Sequence, residues 1–157
     1  MEKIATVLKA AYASPVGHNE YHGLHISVIQ SAPLLQDLAV YCGKTFGNEK
    51  YNPFYDDPTL IIVSAKPEED GQLVYIADVC CVMENMHLAA TELGLGCVFL
   101  WPMLNRIPQS PAFLEAIALP EGFKPISALA LGYPQIPLSK RTLQDITNNK
   151  IATDFIL

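Results

Sequence analysis

Residues 78–93 read DVCCVMENMHLAATEL, and this stretch decides the fold. Val79, Val82, Met83, Met86, Ala90 and Leu93 recur at helical spacing and make one apolar stripe. Cys80, Cys81, Leu88 and Ala89 make the opposite side apolar as well. A helix that is apolar nearly all round is covered on most sides. In a chain of 157 residues that predicts either a central core helix or a helix at an interface between two copies. Gly94 follows, as suits a helix C-terminus.

The segments on either side alternate helix and strand. Residues 2–13 carry Ile4, Val7, Leu8 and Ala11 at helical spacing. The opening MEKIATVLKAAYASP mimics a secretory signal, with AYA as its cleavage site, but Lys9 interrupts the apolar stretch; a helix of the mature protein is expected. Leu24–Ile29 reads as a strand with Leu24, Ile26 and Val28 on one face. Residues 32–46 read as helix, and GNEKYNPFYDDP (47–58) as an aromatic, turn-rich loop. Thr59–Ser64 (TLIIVS) is a continuous apolar run, the pattern of a strand covered on both faces. Val98–Trp101 reads as a strand, Pro111–Ile117 as a short helix and Ile126–Leu131 as a further strand. The tail, residues 133–157, reads as extended, apart from a turn of helix near Leu143–Ile146. Its ending TDFIL has strand character and suits addition to a sheet edge, including that of a partner subunit. No repeat or linker divides the chain, so residues 1–157 are expected to form a single layered α/β or α+β domain.

Composition narrows the function classes. Half of the residues are hydrophobic and 17% are charged, an apolar surplus that suggests a subunit interface or a cofactor bed. The net charge of -6 and the lack of any basic run argue against a nucleic-acid partner. No apolar run approaches the ~20 residues of a membrane span. The four cysteines, Cys42, Cys80, Cys81 and Cys97, form no CxxC pair and fit reduced, buried thiols in a cytoplasmic protein.

Four constellations could carry chemistry. His18, His22 and His25 invite a metal reading, but no HExxH or cysteine-ligand pattern surrounds them. A thiol nucleophile needs an activating partner, and Cys80, Cys81 and Cys97 lie in apolar stretches that favour the inert thiol. Gly94–Gly96 follows a helix and precedes a strand, the reverse of a dinucleotide fingerprint, so a tight helix-to-strand turn is expected. Lys140 and Arg141 are adjacent in an acidic chain and could hold a phosphate or simply face solvent.

From residue 4 to about residue 150 the sequence resembles the nitroreductase family of FMN-dependent oxidoreductases. IATVLKAAYASPVGHNEY is similar to the family's opening ILxAAxxAPSxxNxQ and is followed by the strand HISVI. FYDDPTLIIVSAK, DVCCVMENMHLAATELGLGCVFLW, LPEGFKPISALALGYP and IPLSKRTLQDITNN resemble its later segments in the family's order. Val16 stands where a Ser is usual, and Pro102, which has no N–H, where a backbone donor often faces the flavin. The sequence opens inside the first helix, without the Arg-rich R-x-S-x-R segment usual before it.

The resemblance implies an α+β fold of three α/β/α layers, with a mixed central sheet flanked by helices, in an intertwined homodimer. It implies FMN as cofactor, with NAD(P)H as co-substrate. The loop Ser14, Pro15, Val16, Gly17, His18 and Asn19 would cradle the flavin. Leu100, Trp101 and Pro102 would run along the ring edge, and Lys140 and Arg141 would reach the phosphate. The implied reaction passes hydride and electrons from NAD(P)H to a nitroaromatic, quinone or similar small-molecule acceptor in two half-reactions. No side chain is expected to act as a catalytic acid or base, because the flavin does the chemistry. The alternative is a flavin- or ligand-binding protein of the same fold with reduced catalysis.

Overall fold

The computed structural model describes residues 2–68, 73–101, 111–140 and 142. The helices are α1 (Glu2–Tyr12), α2 (Ala32–Thr45), α3 (Val74–Glu92) and α4 (Pro111–Ala116). The strands are β1 (Leu24–Ile29), β2 (Thr59–Ala65), β3 (Gly96–Leu100) and β4 (Lys124–Gly132). They form one sheet in the order β1-β2-β4-β3.

The sheet is built around β2. All seven of its residues are buried, as its unbroken apolar run demands. Leu60 and Ile62 face a core made with Leu35, Leu38, Cys42, Phe113 and Ile117 from α2, α4 and the turn after α4. Ile61 and Val63 face the other way, onto Val7 of α1 and Val79, Val82, Met83 and Met86 of α3. The period-two alternation of a strand thus feeds two cores, and the layers are α/β/α.

Pairing differs from the mixed sheet that the resemblance implies. Every pair among the described strands is antiparallel: Thr59 opposes Leu131, Leu24 opposes Ala65 and Gly96 opposes Gly132. Connections that pass over a face and return in the opposite direction produce this, and a parallel neighbour would have to come from elsewhere. The expected tail helix at 143–146 and the TDFIL strand lie outside the described residues.

Several boundaries and one face also differ from the sequence reading; β4, for one, runs from Lys124 to Gly132. α3 begins at Val74, a turn before Asp78, and the Glu68 carboxylate accepts the Tyr75 N–H at 3.1 Å in its first turn. β3 begins at Gly96 and ends before Trp101. On β1, Leu24 and Ile26 pack towards α1 and α3 and Ile29 towards α2, while Val28 stays 38% exposed. Ser27 is buried instead and satisfies its hydroxyl by donating to the Ile117 carbonyl.

The exit from α3 is as expected. Gly94 takes φ +70°, its N–H reaches the Thr91 carbonyl at 3.0 Å, and the Leu95 N–H returns to Ala90 at 2.9 Å. The GLG stretch is therefore a helix-to-strand turn. α3 buries Val79, Val82, Met83, Met86 and Ala90, yet its opposite side leaves Leu88 58% exposed. No helix among the described residues is long and apolar enough to cross a membrane.

Candidate functional site

The 14–19 loop is stapled to α3. Ser14 is fully buried; its Oγ accepts from Asn85 Nδ2 at 2.9 Å, and its carbonyl accepts from the Tyr21 hydroxyl at 2.8 Å. The Gly17 N–H donates to Asp78 Oδ1 at 2.8 Å. A Cβ on Gly17 would stand 2.6 Å from Val74 Cγ1, so only glycine lets the loop lie this close. His18 and Asn19 then take φ +52° and +61°, turning the chain so that both side chains face solvent. Pro15 is exposed and Val16 half-buried. The result is a rigid loop with an exposed polar tip, the usual arrangement of a binding loop. Asp78 and Asn85, which fasten it, were not singled out from sequence, because the contact joins residues 61 and 71 positions apart.

The other candidates lie elsewhere. Leu100 is buried in the α2/α4 core and can offer a ligand only its backbone. Trp101, next in the chain, is 41% exposed. Lys140 lines a cavity of about 720 Å³ with His87, Thr91, Glu92, Gly96, Cys97 and Ser139. Pro102 and Arg141 lie outside the described residues. Lys140 and Trp101 thus mark the two ends of β3, about 13 Å apart at ~3.3 Å per residue. The 14–19 loop leads into β1 at the far edge of the sheet, three strand spacings or about 14 Å from β3. Gly17 and His18 of the loop line one cavity and Lys140 another, and the two share no lining residue.

The metal and thiol readings find no support. Among the described residues no group of three His, Cys, Asp or Glu side chains could hold a metal ion. All four cysteines are free. Burial pushes the Cys42 thiol up to about 12 and the Cys97 thiol up to about 11, and burial with the neighbouring Cys81 also raises Cys80. Such thiols are poor nucleophiles near neutrality.

Helices on both faces of a four-stranded sheet, a stapled loop at one edge and a cation-bearing cleft at the other define an α+β sandwich with cofactor-sized openings. The chain belongs to the Nitroreductase family, which residues 1–133 match. An Archaeoglobus fulgidus protein assigned as an NADH dehydrogenase/NAD(P)H nitroreductase is 30% identical over 136 residues, 85% of this chain and 74% of that protein. A Bacteroides fragilis nitroreductase solved with bound FMN superposes with a TM-score of 0.79 at 26% identity, covering 98% of this chain and 87% of that one. A Desulfitobacterium hafniense nitroreductase with bound FMN gives 0.76 at 17% identity, covering 98% and 87%.

Proposed function

We propose that this protein is a homodimeric, FMN-dependent NAD(P)H oxidoreductase formed by a single domain. The observation that carries the reading is the run along β3 from Lys140 at one end to exposed Trp101 at the other. The donor set fits the group. Lys140 with the hydroxyl of Ser139 suits a phosphate, and Arg141 follows in sequence. The Trp101 indole and the backbone beyond Leu100 suit a flat ring edge.

The 14–19 loop and Lys140 line separate cavities, which is why the reading includes a second copy. That copy's loop would supply the opposite wall, with α3 packed against α3 through the Leu88 side. The outer edge of β1 is unpaired among the described strands and opens on a groove of about 410 Å³ lined by Ile26, Val28 and Ala118. The ending TDFIL, with its strand character, suits that edge in the partner.

FMN when bound supplies two-electron transfer from NAD(P)H to a nitroaromatic, quinone or similar acceptor. The chain's own residues bind and orient: Lys140 neutralises phosphate charge, Trp101 borders the ring, and Asp78 holds the loop in place. Cytoplasmic location fits the free thiols.

The test is an FMN titration followed by visible absorbance and flavin fluorescence. Stoichiometric binding is expected, with Lys140→Ala weakening it roughly 10- to 100-fold, the range for losing a charge-assisted hydrogen bond. Steady-state NAD(P)H oxidation with a quinone should give the parallel-line pattern of two half-reactions. Protein that gains no flavin signal refutes the reading.

A further inference from the structure

β4 ends at Gly132, and the chain leaves the sheet as an arm. Tyr133 is 74% exposed, and residues 135–140 are exposed throughout. Lys3 of α1 lies across the base of this arm. Its Nζ stands 5.1 Å from the centroid of the Tyr133 ring and donates to the Leu93 carbonyl, at the end of α3, at 2.9 Å. We propose that Lys3 is a positioning residue: its ammonium latches the arm of residues 133–140 to the end of α3 and so sets where Lys140 stands.

The ammonium is itself held in place. The last carbonyls of a helix have no partner within it, and the negative end of the helix attracts a cation. Half-buried Lys3 meets both needs of α3 from 90 positions away. Burial does little for Tyr133, so the attraction between the cation and the ring face is what orients it. Pro134 then rests on Gly96, where a Cβ would lie 3.6 Å from the proline N, Cα and Cβ. Pro134 and Pro137 fix φ at two points, so the direction given at the base is carried along the arm. The base and Lys140 also share a wall. Leu95 lines both the cavity of about 170 Å³ beside Lys3 and Tyr133 and the cavity of about 720 Å³ that Lys140 lines. A shift at the base therefore reaches Lys140 by two routes, along the arm and across Leu95.

The consequence for FMN rests on the reading of Lys140 as a phosphate ligand. A lysine that only capped α3 would be indifferent to the Tyr133 ring, and this separates a latch from a cap.

Two quantities are measured on the full chain: backbone ¹⁵N order parameters of Ile136, Leu138 and Ser139 without FMN, and FMN affinity by fluorescence titration. The order parameters are expected near about 0.85 in the wild type and below about 0.6 in Lys3→Met and in Tyr133→Leu. FMN affinity should fall roughly three- to tenfold in both, because the arm must then be ordered as FMN binds. Lys3→Arg and Tyr133→Phe keep a cation over a ring, so both should leave the arm ordered and the affinity within twofold. The double variant Lys3→Met/Tyr133→Leu should be no weaker than the worse single one, since both remove the same contact. An arm equally ordered in Lys3→Met, an arm disordered in the wild type, or additive losses in the double variant overturns the proposal. Tyr133→Leu alters an exposed side chain and carries the test even if Lys3→Met fails to fold. If the order parameters respond as expected but the wild type takes up no FMN, the latch stands and the flavin reading falls. If FMN binds wild type and variants alike and the arm does not respond, the latch falls and the flavin reading stands.

Discussion

Leu88→Ala is expected to weaken self-association while leaving the subunit fold nearly untouched. Leu88 sits on the side of α3 turned away from the core and is 58% exposed in the single chain. The substitution removes three methylene-sized groups at about 0.8 kcal/mol each when fully buried. Some 58% of that burial is still to be gained on association, about 1.4 kcal/mol per copy. A two-fold interface counts the change twice, about 2.8 kcal/mol, or roughly 100-fold in dissociation constant. Sedimentation equilibrium over a concentration series measures this directly. Met83→Ala is the control, because Met83 is fully buried against β2. It should cost about 2–5 kcal/mol of fold stability and lower the melting temperature at every concentration. The Leu88→Ala melting temperature should instead fall mainly in dilute samples. A dissociation constant unchanged within twofold would refute the assignment of this face to a subunit contact.

Asp78→Ala removes the acceptor of the Gly17 N–H, so FMN affinity should drop about tenfold in a fluorescence titration, with stability lowered by about 1–2 kcal/mol. Cys42 and Cys97, raised to about 12 and about 11 by burial, should resist alkylation at pH 8 in the folded protein and react once it is unfolded in urea. The same shifts make the folded state hold thiol protons that the unfolded chain releases, so chemical-denaturation stability should fall as pH rises from 9 towards 12. Gly43→Ala would place a Cβ 2.8 Å from the carbonyl oxygens of both Asn48 and Tyr51, and should cost about 1–3 kcal/mol in the same denaturation assay.

The elements were legible wherever burial imposes a period. TLIIVS announces a strand covered on both faces, and the stripe of Val79, Val82, Met83 and Met86 announces the packed side of α3. Strand order and direction were not legible, because alternation of elements leaves both open. Nor was Ser27 as the buried residue of β1, since its place depends on a carbonyl 90 residues away. The site was legible only in part. The loop SPVGHN could be picked out through the family's motif, but its anchors Asp78 and Asn85 look like ordinary polar positions on a helix.

The strand buried on both faces has a consequence for synthesis. Thr59–Ala65 needs β4, whose matching residues Lys124–Leu131 leave the ribosome some 60–70 residues later. At ~5–20 residues per second the LIIV segment waits roughly 3–14 s for that partner strand, with α3, which follows β2 in the chain, made in the meantime. Such a segment, β-branched, uncharged and without proline, is the type that pairs with copies of itself. Yield in cells should therefore depend on chaperone capacity and translation rate more than on the stability of the finished fold.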